Sequence, residues 1–110
     1  MNILPQANEV IIPIDKFTKY ALNFDKDADK SIAFYQALGY SLNNAEDLIA
    51  QIRANIGNFP AKEKGDGGYG MKYEVVMEIK GANGKIAKVL TGWIDDAVTG
   101  EMRLTTAHID

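Results

Sequence analysis

The spacing of apolar residues changes once along this chain, at Pro60. Upstream they recur three and four residues apart, and downstream they alternate with polar ones. A helix repeats about every 3.6 residues and a strand every two, so the break predicts helices first and antiparallel strands second. The expected fold is α+β, with about three N-terminal helices packed on one face of a three- to four-stranded antiparallel meander sheet.

The first twelve residues read as an ordered lead-in that packs on the domain. Pro13 suits the first turn of a helix over residues 13–22, with Ile14, Phe17 and Ala21 on one side. Asp27 or Asp29 caps a second helix that turns Ile32, Tyr35 and Leu38 inward and stops at Gly39. Asn43 with Glu46 reads as the capping pair of a third. Its Ala45, Leu48, Ile49, Ile52 and Ile56 form one apolar stripe, ended by Gly57.

Past Pro60, residues 61–64 form a short strand, and a glycine-rich turn over 65–70 follows. From 71 to 80, Tyr73, Val75, Met77 and Ile79 face the core. Asn83-Gly84 signals a hairpin. With a loop of either two or four residues, it puts Ile86, Leu90 and Ile94 on the buried side of a strand over 85–95. A turn over 96–100 leads to a last strand, 101–109, that buries Met102 and Leu104.

Composition narrows the functions open to such a fold. At 110 residues one domain is expected, able to bury a core without help from a metal or disulfide. The absence of cysteine removes disulfides, thiolate metal sites and cysteine nucleophiles, and a single histidine weighs against a zinc site. No cofactor is expected. Residues 1–14 lack the basic start and apolar core of a signal peptide, and the apolar runs are too short to span a bilayer. The cytoplasm is therefore the expected location, with no membrane partner. A net charge of −3 opposes nucleic acid unless lysines and arginines gather on one face.

On this strand reading, the face of the sheet away from the helices carries Lys72, Glu74, Val76 and Glu78, then Thr91, Trp93 and Asp95, then Arg103, Thr105 and Ala107. Lys72, Trp93 and Arg103 line up across three strands, a row about 10 Å wide. That suits a nucleotide, with a ring to stack on a base and two cations for a phosphate. Glu74 or Glu78 is placed to serve as a general base, and Thr91 or Thr105 to donate hydrogen bonds. Cross-strand charge pairing is the commoner role for such residues. His108 is expected to point toward the helices with Thr106, as a half-buried structural residue. The stretch 65–70 lacks the ending of a phosphate loop and is expected to act as a turn or flap that carries Tyr69 and is flanked by Lys62 and Lys64.

Several segments together, LPQANEVIIPIDKFTKYALN, DKSIAFYQALGYSLNNAEDL, YGMKYEVVMEI, Trp93-Ile94 and the closing RLTTA, resemble a family of small uncharacterised bacterial domains. The resemblance covers nearly the whole chain and implies no particular chemistry. Such domains occur alone and in toxin- or phage-associated proteins. The architecture also resembles the barnase, EndoU, colicin and RelE group of ribonucleases. The family's final aromatic is matched here by His108.

Two functions follow as expectations. One is a metal-independent, toxin-type ribonuclease acting on RNA, with Lys72, Glu74, Arg103 and Thr105 in the chemistry. Trp93, Thr91, Tyr69 and His108 would then contact the substrate, and a small cognate protein of immunity or antitoxin type would hold the activity in check. The other is a non-catalytic module that binds a protein on the open sheet face. Either way the chain is expected to be a monomer or weak dimer.

Overall fold

The structure, a computed structural model, describes residues 2–110. Two α-helices, α1 (Ala28–Leu38) and α2 (Ala45–Asn55), precede four strands: β1 (Ala61–Asp66), β2 (Gly70–Lys80), β3 (Ile86–Asp96) and β4 (Met102–Ile109). The strands form one antiparallel sheet in the order β1-β2-β3-β4. Helix α2 lies over β2, and α1 lies over β3 and β4.

The expected first helix is a short turn that widens to a five-residue spacing over Phe17–Ala21. Phe17 and Ala21 are buried there, while Ile14 is exposed. Asp27 caps α1 by accepting the Lys30 N–H, and Gly39 closes it in the left-handed conformation. The inward side of α1 is Ser31, Phe34 and Leu38, so Ile32 and Tyr35 face outward, contrary to expectation. A turn over Leu42–Asn44 leads into α2, and the capping box, Ser41 with Asn44, belongs to that turn; the α2 cap position is Asn44, not the expected Asn43 with Glu46. The stripe of α2 is buried at Ala45, Leu48, Ile52 and Ile56, as its period predicts.

The N-terminal segment extends the sheet. Ile11 donates to the Met102 carbonyl at 2.8 Å and accepts from the Leu104 N–H at 2.9 Å, a parallel bridge on the outer edge of β4. Leu4, Val10 and Ile12 go into the core beside it.

The β2–β3 hairpin differs from expectation by one residue. The Gly81 N–H donates to the Lys85 carbonyl, so the loop holds three residues, 82–84, with Gly84 at φ +83°. Its tip rests on the end of α1, where the Asn83 N–H donates to the Leu38 carbonyl at 3.3 Å. Tyr73 then pairs with Trp93 and Val75 with Thr91. A shift of one residue exchanges the two faces of a strand. Thus Val89, Thr91 and Trp93 join the core, and Ile86, Leu90 and Ile94 stand on the uncovered face.

β4 departs as well. Trp93 pairs with Leu104 but Gly92 with Thr106, so a bulge sets Thr105 and Thr106 against one residue. Past the bulge the faces exchange: Ala107 is buried, while Thr106 and His108 stand on the uncovered side.

Trp93 is 1% exposed and Thr91 is fully buried. The indole N–H donates to Thr91 Oγ1 at 2.8 Å, and that hydroxyl donates to the Val75 carbonyl at 2.8 Å. Replacing Thr91 with valine keeps the shape and strands the indole donor, so Thr91→Val should cost about 1–3 kcal/mol in chemical denaturation. Trp93 fluorescence reports the transition.

Candidate functional site

Register places the open-face residues in rows about 4.8 Å apart from strand to strand. One row runs Lys72, Ile94, Arg103; the next runs Lys62, Glu74, Gly92, Thr106; a third runs Val76, Leu90, His108; and a fourth pairs Glu78 with Lys88. Among the described residues, no helix lies on this side. Ile86, 68% exposed, ends an aliphatic line that β3 draws through Leu90 and Ile94, with Val76 alongside. Around it stand Lys62, Lys64, Lys72, Lys80, Lys88 and Arg103, half of the chain's lysines and arginines. An acidic chain therefore presents a face richer in cations than its composition suggests.

Of the residues proposed for chemistry, Lys72, Glu74, Arg103 and Thr105 share this face, Thr105 by the same alternation that places Arg103 there. Lys72 and Arg103 are indeed in one row, two strands apart, but Ile94 is between them instead of Trp93. Trp93 and Thr91 are behind the sheet in the core, so neither can touch a ligand here. His108 is on the open side rather than toward the helices, half-buried, with Nδ1 3.0 Å from the Ile109 carbonyl.

Arg103 is anchored rather than free. Its guanidinium meets Glu101 Oε1 at 3.3 Å and Asp96 Oδ2 at 3.9 Å. Lys64 reaches Glu74 at 3.8 Å. These partly exposed pairs contribute little to stability but set where the charges sit. Tyr69, 77% exposed, stands at one end of the sheet, where its carbonyl accepts the Ala97 N–H and ties the glycine-rich turn to the β3–β4 turn. Among the described residues, no three His, Cys, Asp or Glu side chains group to hold a metal, and no helix is long and apolar enough to cross a membrane.

Sequence reading missed Gly92. A methyl group there would lie 2.8 Å from Thr106 Cγ2 and 3.1 Å from Thr105 Oγ1, so the two threonines occupy the space a side chain would need. The available signal was a glycine within a strand pattern, which marks a bulge or a close approach. Gly92→Ala should destabilise the fold by about 1–3 kcal/mol through overpacking, measured by urea denaturation.

Asp96 shapes the β3–β4 turn. Its Oδ1 accepts the Val98 N–H at 2.8 Å and the Thr99 N–H at 3.1 Å, and these bonds, with Arg103 beside them, hold its pKa below the usual carboxylate value. A lowered folded-state pKa stabilises above the unfolded value, about 4, and that contribution fades as pH falls through the folded one. Denaturation midpoints between pH 6 and 2.5 should therefore decline less steeply for Asp96→Asn than for the natural chain.

Comparison with known proteins gives a match to one family model, described as a domain of unknown function (DUF6883), over residues 3–110. No curated protein and no solved structure matches.

Proposed function

This chain belongs to that family, DUF6883, and we propose that it is a protein-interaction module that docks a partner on the open face of its sheet. The observation that carries this reading is the aliphatic line Ile86, Leu90 and Ile94 with Val76, left without a helix to cover it and ringed by cations. Apolar centres with polar rims are the anatomy of protein interfaces. The fitting partner is a small protein with an apolar ridge and an acidic border, of the kind that an immunity protein or antitoxin would supply. Charge of opposite sign speeds such an encounter and sets its register. The module acts in the cytoplasm and is a monomer or weak dimer until the partner docks.

A second reading keeps the chemistry. Lys72, Glu74, Arg103 and Thr105 share one cationic face, which supports a metal-independent ribonuclease-like toxin with Glu74 as base, Lys72 and Arg103 on the phosphate, and His108 and Tyr69 near the substrate. Against it stand the ion pairs that occupy Arg103 and the burial of the one tryptophan, which removes the stacking platform.

One experiment separates them. The natural chain and Leu90→Asp are expressed in the native host, and each is recovered with whatever it binds in fixed ratio. A single partner held by the natural chain and lost by a folded Leu90→Asp supports the module, with affinity falling at least about tenfold. Specific cuts in total cellular RNA, abolished by Arg103→Ala, would overturn it in favour of the ribonuclease.

A further inference from the structure

The outer edge of β4 is covered in two pieces. Ile11 pairs with its first half, and the turn Phe17–Ala21 with the start of α1 stands against its second half. Between the latter pieces and the strand lies a cleft of about 210 Å³, lined by Lys16, Tyr20, Asp27, Lys30, Thr105 and Thr106. Liquid water occupies roughly 30 Å³ per molecule, so a tetrahedral anion fits with room for a substituent.

The bulge gives this cleft its chemistry. In a regular strand two successive side chains point to opposite faces, but a bulge opposes both to a single residue, here Gly92. Thr105 and Thr106 therefore stand together at the edge of the sheet. With Thr106 Cγ2 against Gly92, its Oγ1 meets Lys30 Nζ, which donates to it at 3.1 Å. A hydroxyl satisfies one of the three ammonium protons and none of the charge. Among the described residues, neither Lys30 nor Lys16 has a carboxylate within 4.0 Å. Asp27 is in the lining, but its Oδ1 accepts the Lys30 N–H as the cap of α1 at 3.2 Å. Two lysines against one aspartate leave the lining with a net positive charge, and three of its residues, Tyr20, Thr105 and Thr106, carry hydroxyls.

We propose that this cleft binds a phosphate-class oxyanion, either free phosphate or the terminal phosphate of a small monoester. Lys16 and Lys30 balance the charge, and Thr105, Thr106 and Tyr20 donate to the oxygens, the charge-assisted contacts that hold phosphates elsewhere. The inference is independent of the partner-docking reading, because Lys16 and Lys30 are not on the aliphatic face.

The test is a titration of the full ¹⁵N-labelled chain with sodium phosphate, with sodium chloride at matched ionic strength as reference. The expected result is saturable shifts of the Lys16, Lys30, Thr105 and Thr106 amides. Lys30→Met, which keeps the apolar stem, should weaken binding at least about tenfold, and Lys16→Met should weaken it in the same direction. Both variants must retain the natural chain's dispersed spectrum; should one fail, the other decides. Glycerol phosphate as a second ligand separates monoester from free phosphate, and a dinucleotide tests a diester. Non-saturating shifts, shifts centred on Lys62, Lys64 and Lys72, unchanged affinity in a folded variant, or binding of the diester alone would each overturn the proposal.

Discussion

The hydrogen bond from the Gly81 N–H to the Lys85 carbonyl decides which side of β3 meets the helices. It closes a loop of three residues, and three rather than two or four inverts every side chain that follows. The loop length is fixed from outside the hairpin as well as within it. Asn83 donates from its backbone to the Leu38 carbonyl and from its side chain to the Ala37 carbonyl, answering groups that the end of α1 leaves open. Gly81 lies so close to Leu38 that a side chain there would collide with the helix backbone. Nearby, the buried Tyr40 hydroxyl donates to the Lys80 carbonyl at 2.7 Å. The helix end and the hairpin are therefore one assembly, and the arrangement of the open face follows from it.

What the sequence revealed depended on whether a segment carries one apolar pattern or two. α2 has a single stripe and β2 a single alternating row, and both were legible. Asp27 and Gly39 were legible too, because capping is a local matter of donors and φ. α1 offers two stripes at helical spacing, Ile32 with Tyr35 and Ser31 with Phe34, and both include Leu38. The structure takes the one with Phe34, which is fully buried. β3 is apolar on both sides, with Val89 and Trp93 against Ile86, Leu90 and Ile94. Nothing within the strand chooses between them, so a contact with α1 does. The same inversion moved Trp93 and Thr91 from a supposed binding surface into a buried hydrogen-bonded chain. Lys72, Glu74 and Arg103 stand on the face their alternation predicts, because β2 and the start of β4 each carry a single apolar row.

The bulge in β4 is the second hidden decision. Thr105 and Thr106 look like ordinary strand threonines, and only the opposing Gly92 reveals that they stand together. Without the bulge, Thr106 and His108 would point into the helical layer. With it, Ala107 fills that space, His108 joins the open face, and the Thr106 hydroxyl meets Lys30 with Thr105 as its neighbour. One extra residue in the strand thus separates a plain edge from an edge with donors.

The sheet treats its edges and its open face in opposite ways. β1 is exposed along nearly its whole length, but it is interrupted by a bulge and carries Lys62 and Lys64, features that discourage pairing with another strand. The outer edge of β4 is occupied by Ile11 over its first half and flanked by helical segments over the rest. Backbone-driven association is therefore resisted at both ends. The aliphatic line on β3 has no such guard, although β3 is paired on both sides and needs no further hydrogen bonds. The partner proposed above would find side chains there rather than open backbone, and its selection would rest on shape and on the surrounding cations. Recognition of that kind can be specific without promoting the edge-to-edge growth that an unprotected strand would invite.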